Sequence, residues 1–387
     1  MNFFFAHDVV AYNKIVFTFI KTNKPYRYLR VFEIEDGITR EFYNDEIKNL
    51  VLLEEVSPTS EELRINTLSV DLVTKNEIGV LFQRTLPFKL FRDGSLLGTF
   101  FIDISNRKKG KEYEITATDY IGILDRETYQ GGLYIDTMVG TIVGEILSDM
   151  PYIIDSTLSN RTVSGYLEPM SKREALQRVI FASGGIIDCS RSEKIEIKRL
   201  DNTIKSNLNN DKVVSISEKA ESITTQINLI EHRYKLKTEM DTLYEETLNG
   251  ELLVNFDAPH TQLSINKAGR ILESGIHHAK IIGTGDVKLQ GLGYDDISTT
   301  RTKVNPLVVE TDIKKVKEYE TTLICNEIDL LDYLNFISKK LTVKYNMENK
   351  EKVGDMVKVL GQNARITNLE YDLNTPCIYA TAEMEVY

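Results

Sequence analysis

Residues 86–120 read Leu86-Pro-Phe-Lys-Leu-Phe-Arg-Asp93, a Gly-containing turn, Thr99-Phe-Phe-Ile-Asp-Ile104, a basic turn and Tyr113-Glu-Ile-Thr-Ala-Thr-Asp-Tyr120. Residues 354–384 repeat this order at low identity, as Gly354-Asp-Met-Val-Lys-Val359, Ala364-Arg-Ile-Thr-Asn-Leu-Glu-Tyr371 and Cys377-Ile-Tyr-Ala-Thr-Ala-Glu-Met384. Apolar and polar residues alternate in these segments, which predicts strands with one buried face. The sequence therefore predicts two copies of one three-stranded antiparallel meander. A duplicated β-module can double the apparent symmetry of an oligomer.

Length and composition limit the class of protein. At 387 residues the chain exceeds the size at which one core keeps growing, so about two to four domains are expected. A net charge of −11 disfavours nucleic acid as the main partner and predicts no sequence-specific nucleic-acid binding. The cysteines, Cys189, Cys325 and Cys377, are widely spaced and form no Cys-x-x-Cys pair. This spacing argues against a disulfide framework and against a structural zinc site.

The sequence contains no evident targeting or membrane signal. Its opening, Met1-Asn-Phe-Phe-Phe-Ala-His-Asp8, lacks the charged and long apolar regions of a signal peptide. No apolar run reaches the roughly 18 residues of a membrane helix. We therefore expect a protein that is assembled in a bacterial cytoplasm and does not span a membrane.

The fold class predicted is a β-dominated α+β multidomain protein, and its front half divides into two parts. Alternating segments at Lys14–Ile20 and Leu63–Val73 join the first meander, which predicts an antiparallel β-barrel or sandwich over residues 1–130. Residues 131–212 are predicted to form a small α+β domain. There, residues 137–148 have helical apolar spacing, and Ser171-Lys-Arg-Glu174 is a capping box before a second helix. A strand pair is predicted at 185–189 and 194–198.

The rear half is predicted to contain a second, related barrel that is interrupted. The barrel covers residues 213–244 plus 306–387, and a β insertion occupies 245–305. Ile223–Ile230 resembles the strand that precedes the first meander. From about Asp312 to Lys340 a polar helix is predicted. Its apolar stripe, most often a core-facing feature, comprises Leu330, Leu331, Leu334, Ile337 and Leu341.

The histidines are the first candidates for chemistry. His277-His278 is the only adjacent histidine pair, and with His260 and Asp257 it could form a metal or acid–base site. Adjacent residues of a strand point to opposite faces, however, so the two histidines do not easily bind one ion. No His-Glu-x-x-His pattern supports a metal. The sequence therefore favours no metal, cofactor or catalytic residue.

Other candidates have simpler explanations. Asp295-Asp296 and Glu245-Glu246 are typical of solvated turns rather than of a glycosidase pair, whose members face each other across a cleft. Gly283-Thr-Gly285 and Gly291-Leu-Gly293 lack the spacing of phosphate loops and are predicted to form tight β turns. Cys189 is expected to be buried. The basic run Arg107-Lys-Lys-Gly-Lys111 is predicted to be a hairpin tip that could contact an acidic neighbour in a ring.

Several of these segments resemble a known family. Asn305-Pro-Leu-Val308, a predicted helix, Leu341-Thr-Val-Lys-Tyr345 and Val353-Gly-Asp-Met-Val-Lys-Val359 resemble, in this order, the C-terminal half of baseplate hub proteins of contractile-tailed phages. The front half is similar to the same family, which includes hubs of prophages and of phage-tail-like bacteriocins. Where the family has an Arg-Gly-x-Pro strand end, this chain has Asn346-Met-Glu-Asn349.

The resemblance implies a structural role rather than an enzymatic one. In this family two barrels per subunit lie side by side, and a homotrimer forms a ring of six similar barrels that joins a sixfold tail tube to a threefold central spike. The implied partners are the chain itself, the tail tube protein, the central spike protein, other baseplate and wedge proteins, and a tape-measure protein. The particle would be extracellular after lysis. The alternatives are a tail-associated peptidoglycan hydrolase or carbohydrate-binding module, and a monomeric β-sandwich binding module.

Overall fold

The computed structural model describes residues 41–43, 45–74, 87–219, 224–308, 314–347, 351–373 and 379–387. The predicted strand at Lys14–Ile20 lies outside these residues. Strands dominate the described part of the chain and are distributed over several sheets. This confirms the predicted β-dominated multidomain class.

The front of the chain forms an antiparallel five-strand module. Its strands pair in the order β1-β2-β5-β4-β3. Buried and partly buried residues alternate in β2 and β5, as expected for a sheet with one face on a core. The strands are β1 (Ile47–Glu55), β2 (Thr67–Val73), β3 (Pro87–Arg92), β4 (Ser95–Arg107) and β5 (Glu112–Thr118).

A compact α+β region follows, with its own core. Its helices are α1 (Tyr120–Ile123), α2 (Val139–Leu147), α3 (Ser156–Ser159) and α4 (Lys172–Ala182), and a 3₁₀ turn spans Leu124–Arg126. Its strands are β6 (Thr128–Tyr129), β7 (Gly132–Met138), β8 (Tyr152–Ile154), β9 (Thr162–Leu167), β10 (Met170–Ser171), β11 (Ile186–Asp188) and β12 (Ile195–Lys198). Both predicted helices and the predicted strand pair, β11 with β12, are present.

Local signals explain the helices of this region. The Ser171 side chain accepts a hydrogen bond from the Glu174 backbone N–H at 3.1 Å, which is the predicted N-cap of α4. The helix ends at Ala182 with Ser183 as its C-cap, and Gly184 follows with a φ of +66°, a conformation that favours glycine. The apolar faces of α2 and α4 share one buried cluster, to which Ile142, Ile146 and Val179 belong.

The middle of the chain contains a second sheet built on two very long strands. β15 and β18 pair along their length, and β19 pairs with β15 in parallel. The elements from here to the end of this sheet are β13 (Ile204–Leu208), β14 (Val213–Lys219), β15 (Gln226–Asn255), β16 (Thr261–Ile265), β17 (Gly269–Ser274), β18 (His278–Val304) and β19 (Val316–Thr321). The assignment of Ile223–Ile230 to the second barrel is therefore wrong, because residues 226–230 pair with β18 and β19.

The predicted helix from Asp312 to Lys340 is also wrong. Its described part contains β19, β20 (Leu323–Cys325) and only one helical turn, α5 (Leu330–Tyr333). Leu330 and Leu334 do pack in a core with residues of β15 and β19, but Leu341 lies in another core. The remaining strands are β21 (Lys339–Asn346), β22 (Met356–Val359), β23 (Gln362–Asp372) and β24 (Tyr379–Val386).

The second module has the same strand order as the first. It pairs as β14-β21-β24-β23-β22, which matches β1-β2-β5-β4-β3 strand for strand in chain order. The hairpins formed by the third and fourth strands, β3–β4 and β22–β23, both close on two-residue turns, Asp93-Gly94 and Leu360-Gly361. All four turn residues have positive φ, the type I′ geometry that suits a twisted hairpin. The two predicted meanders are therefore equivalent parts of two copies of the same five-strand module.

The two modules also agree in register. The first strand of each is bulged at its second residue, Lys48 in β1 and Val214 in β14. The fourth strand of each is bulged against the fifth, at Asp103 in β4 and Thr367 in β23. Bulges re-aim strands at fixed places, so their agreement aligns the modules residue by residue.

Candidate assembly interface

The two modules are joined inside the chain by strand pairing. Residues Val51–Glu55 of β1 pair antiparallel with Asn368–Asp372 of β23, which makes both modules one eleven-stranded sheet together with β13. At the centre of this junction Leu52 lies opposite Tyr371, and both side chains are almost completely buried. The first strand of one module thus completes the edge of the fourth strand of the other.

A buried polar cluster fixes the junction to the α+β region. The Tyr371 hydroxyl donates to Glu54 Oε2 at 2.5 Å, and Arg191 Nε lies 3.6 Å from Glu54 Oε1. Arg191 also donates to the Tyr371 hydroxyl and, at 2.6 Å, to the Glu351 carbonyl. Burial raises the pKa of Glu54 to about 7, against the opposing effects of Arg191 and Tyr371. Three parts of the chain therefore meet at one carboxyl group.

This cluster is not evident from the sequence. Glu54 ends the apolar run Leu50–Leu53, a position that is compatible with a solvated strand end. Arg191 lies far from Glu54 in the sequence and has a positive φ of 53° in a turn after β11. An acidic residue in an apolar strand was the available signal, but its cationic partner could not be identified without the fold.

Two different strand edges, one in each module, are open in the described residues. β14 pairs with β21 on one side, and among the described residues no strand pairs with its other side. β4 pairs with β3 only as far as Phe101, so the same side of residues 102–107 has no described strand partner. By module equivalence, these are the edges that β1 and β23 use for each other.

The open edges expose apolar side chains. Ile104 on β4 is 49% exposed, and Val214 and Ile216 on β14 are 58% and 42% exposed. Leu50, the β1 residue that corresponds to Ile216, is buried. Long open edges with exposed apolar residues are sites of strand addition.

The basic run at 107–111 lies at the tip of the β4–β5 hairpin, as predicted. Lys108 N–H donates to the Glu112 carbonyl at 2.9 Å, and Gly110 has a positive φ of 63° in the turn. Lys108 Nζ is 3.1 Å from Asp71. The run therefore flanks the open edge of β4.

The histidine candidates have separate local partners. His277 Nε2 lies 2.5 Å from the Tyr166 hydroxyl, and burial lowers the pKa of His277. His260 Nε2 lies 3.2 Å from Asp241, while Asp257 is exposed. Within the residues that the structure describes, no group of three or more potential ligands is arranged to hold a metal. His278 pairs with Asn255 at the start of β18.

The acidic pairs Glu245-Glu246 and Asp295-Asp296 are exposed, but their assignment to turns is wrong, because they lie within β15 and β18. Asp296 is 2.8 Å from His232, and Glu245 is 3.0 Å from Lys288. Asp295 and Glu246 face Lys235 and Val287 across the ribbon. Cys189 is buried, as predicted, and burial raises the pKa of its thiol.

The predicted Gly turns are wrong, because Gly283, Gly285, Gly291 and Gly293 all lie within β18. Close packing explains two of them. A Cβ at Gly283 would lie 2.5 Å from Val287, and one at Gly291 would lie 2.6 Å from Leu263. A larger residue at either position would collide with these side chains.

Comparison with solved structures identifies the fold. The chain is similar to a tail protein of Neisseria meningitidis, with a TM-score of 0.54 and 9% identity over 88% of this chain and 92% of that one. It is similar to a 43 kDa tail protein of a Shewanella oneidensis prophage, with a TM-score of 0.50 and 9% identity over 87% and 94% of the two chains. A Listeria monocytogenes prophage tail protein gives a TM-score of 0.50 and 10% identity over 88% and 89%. The chain thus has a fold found in phage tail proteins.

Comparisons by sequence give no match. No protein-family profile and no curated protein matches the chain. In the described part of the chain, no helix is long and apolar enough to cross a bilayer.

Proposed function

We propose that this chain is a non-enzymatic structural subunit of a phage tail or tail-like particle, and more specifically its baseplate hub. In this proposal three copies form a ring of six pseudo-equivalent barrels. The ring joins a sixfold tail tube to a threefold central spike. Its other partners would be baseplate and wedge proteins and a tape-measure protein. Assembly would take place in the bacterial cytoplasm, and the particle would be released on lysis.

The observation that carries the proposal is the duplicated module. Two units with the same strand order and the same bulges lie side by side in one sheet, so one chain presents two similar surfaces in sequence. A threefold oligomer of such a chain would present six similar surfaces. The fold shared with phage tail proteins supports the same role.

The division of labour along the chain belongs to the proposal. The modules at the front and rear would be the tube-facing barrels. The α+β region at 131–212 and the insertion built on β15 and β18 would distinguish the two barrels for a threefold partner. The insertion then starts near residue 226 rather than at 245, because β15 is continuous.

Assembly with the tube and spike proteins tests the function. We expect the purified chain, mixed with the tail tube and central spike proteins of the same particle, to form complexes that contain three copies of it. End-on electron micrographs should show a ring with six similar densities. A chain that remains monomeric in the presence of both partners would contradict the proposal.

The enzymatic alternative predicts a different result. We expect the purified chain to release no muropeptides from bacterial cell walls above a buffer blank. Chromatography of the soluble products measures this. A release that disappears in His277→Ala or in Asp295→Ala would assign catalysis to the chain and overturn the structural role.

A further inference from the structure

We propose that neighbouring copies of the chain join by pairing residues 217–219 of β14 in one copy with residues 106–108 of the next, in the register of the internal β1–β23 junction. This inference rests on the proposed ring, to which it adds the contact surface and the partner, a second copy of the same chain. It follows from the equivalence of the modules. The first strand of module one pairs with the fourth strand of module two, so the first strand of module two is matched to the fourth strand of module one in the next copy.

The bulges determine the register of this contact. Counting from Lys48 and Val214 places Glu218 at the position of Leu52. Counting through β5 and β24 places Arg107 at the position of Tyr371. Because Leu52 pairs with Tyr371, Glu218 is assigned to Arg107 of the next copy. In the same register, Lys219 lies opposite Asn106.

The ladders of the third strands end at matching places within the described residues. The ladder of β22 with β23 ends at Arg365, beyond which the chain before β22 makes two backbone hydrogen bonds to Ile366, and the described ladder of β3 with β4 ends at Phe101. These two positions are equivalent, because Arg365 pairs with Glu385 and Phe101 with Thr118 in corresponding registers. In module two, β1 occupies the strand edge that follows. In module one, no described strand occupies the equivalent edge of β4.

The side chains at the proposed contact are complementary. Glu218 pairs with Leu341 and Arg107 with Tyr113, both buried, so Glu218 and Arg107 lie on the core-facing side of their strands. Glu218 pairs with Lys339 of its own copy at 2.9 Å, and Arg107 Nε donates to the Gly110 carbonyl at 2.8 Å. The acid and the arginine would in addition meet each other where the internal junction has the apolar pair of Leu52 and Tyr371. Ile216, 42% exposed in one chain, would become covered as Leu50 is covered.

The contact is head-to-tail, because the two edges that meet are different. Such contacts propagate until rotation closes them into a ring. The pairing leaves no β14 or β4 edge open in a closed ring, which removes the hazard of exposed strand edges.

Cysteine cross-linking tests the register. Opposed residues of an antiparallel pair have Cα atoms about 4.5–5.5 Å apart, within the range of a disulfide. The full-length chain with Glu218→Cys and Arg107→Cys, in a Cys377→Ser background, is oxidised and compared on non-reducing gels and by native mass spectrometry. The matched control carries Glu218→Cys and Asn106→Cys, whose side chains would point to opposite faces. Each single cysteine variant is a second control.

We expect covalent trimers from the first variant and a yield at least about tenfold lower from the controls. Trimers by mass without the disulfide would overturn this contact and leave the ring intact. A disulfide-linked ladder that passes three copies would support the contact and contradict closure at three. Monomers without cross-links at several hundred micromolar protein would overturn the contact for the free chain. Because this assay needs no partner protein, its failure is separable from failure of assembly with tube and spike.

Discussion

Replacing Arg191 with alanine is expected to lower the free energy of unfolding by about 3–5 kcal/mol at pH 8. The change removes the cation beside Glu54, and an uncompensated buried charge is strongly destabilising. It also leaves the Glu351 carbonyl and the Tyr371 hydroxyl without their arginine donor. Denaturant unfolding followed by circular dichroism measures the loss.

The pH dependence of this loss separates the charge from the packing. Because the pKa of Glu54 is raised to about 7 in the folded protein, its protonated form favours folding, and that contribution is lost as the pH rises through 7. At pH 5 the carboxyl group is protonated, so Arg191→Ala should cost clearly less than at pH 8. Glu54→Gln should remove most of this difference.

A second arginine provides the control for this experiment. Arg199 is half exposed and lies 3.9 Å from Asp155, and Arg199→Ala should cost no more than about 1 kcal/mol at either pH. Equal losses from Arg191→Ala at pH 5 and pH 8 would show that Glu54 is not the group that Arg191 stabilises.

Charge reversal at the proposed contact between copies is the other large expected effect. Glu218→Arg places two like charges opposite each other and should weaken self-association at least about tenfold, since such a pair costs several kcal/mol. Arg107→Glu should do the same. The double variant exchanges the two charges and should restore association. Sedimentation at several protein concentrations measures the association constant.

The salt dependence of association and a charge reversal far from the contact serve as controls for that experiment. Association through an ion pair should weaken as the salt concentration rises, whereas the internal junction, with its apolar centre, should not. Glu273→Arg, an exposed reversal on β17, should leave association unchanged. Failure of the double variant to recover would argue against a direct contact of Glu218 with Arg107.

The sequence predicts this fold best where the signal is local. Period-two alternation identified β3 to β5 and β22 to β24, and the capping box identified α4. The partners of β14 were not predictable, because β21 lies more than a hundred residues away along the chain. The helix predicted at 312–340 failed for a physical reason. Leu330, Leu334 and Leu341 fit a helical period. Leu341 nevertheless belongs to β21, a strand with alternating burial that pairs with β14 and β24.

The internal junction also limits how many modules a closed assembly can contain. Since both modules belong to one chain, in which β1 and β23 pair them side by side, any closed assembly gains its modules in pairs. A ring cannot contain an odd number of modules, such as five or seven. The two kinds of module must alternate around the ring. A partner that binds only the features shared by both modules would find a site on every module. A partner that binds the insertion would find a site on every second module.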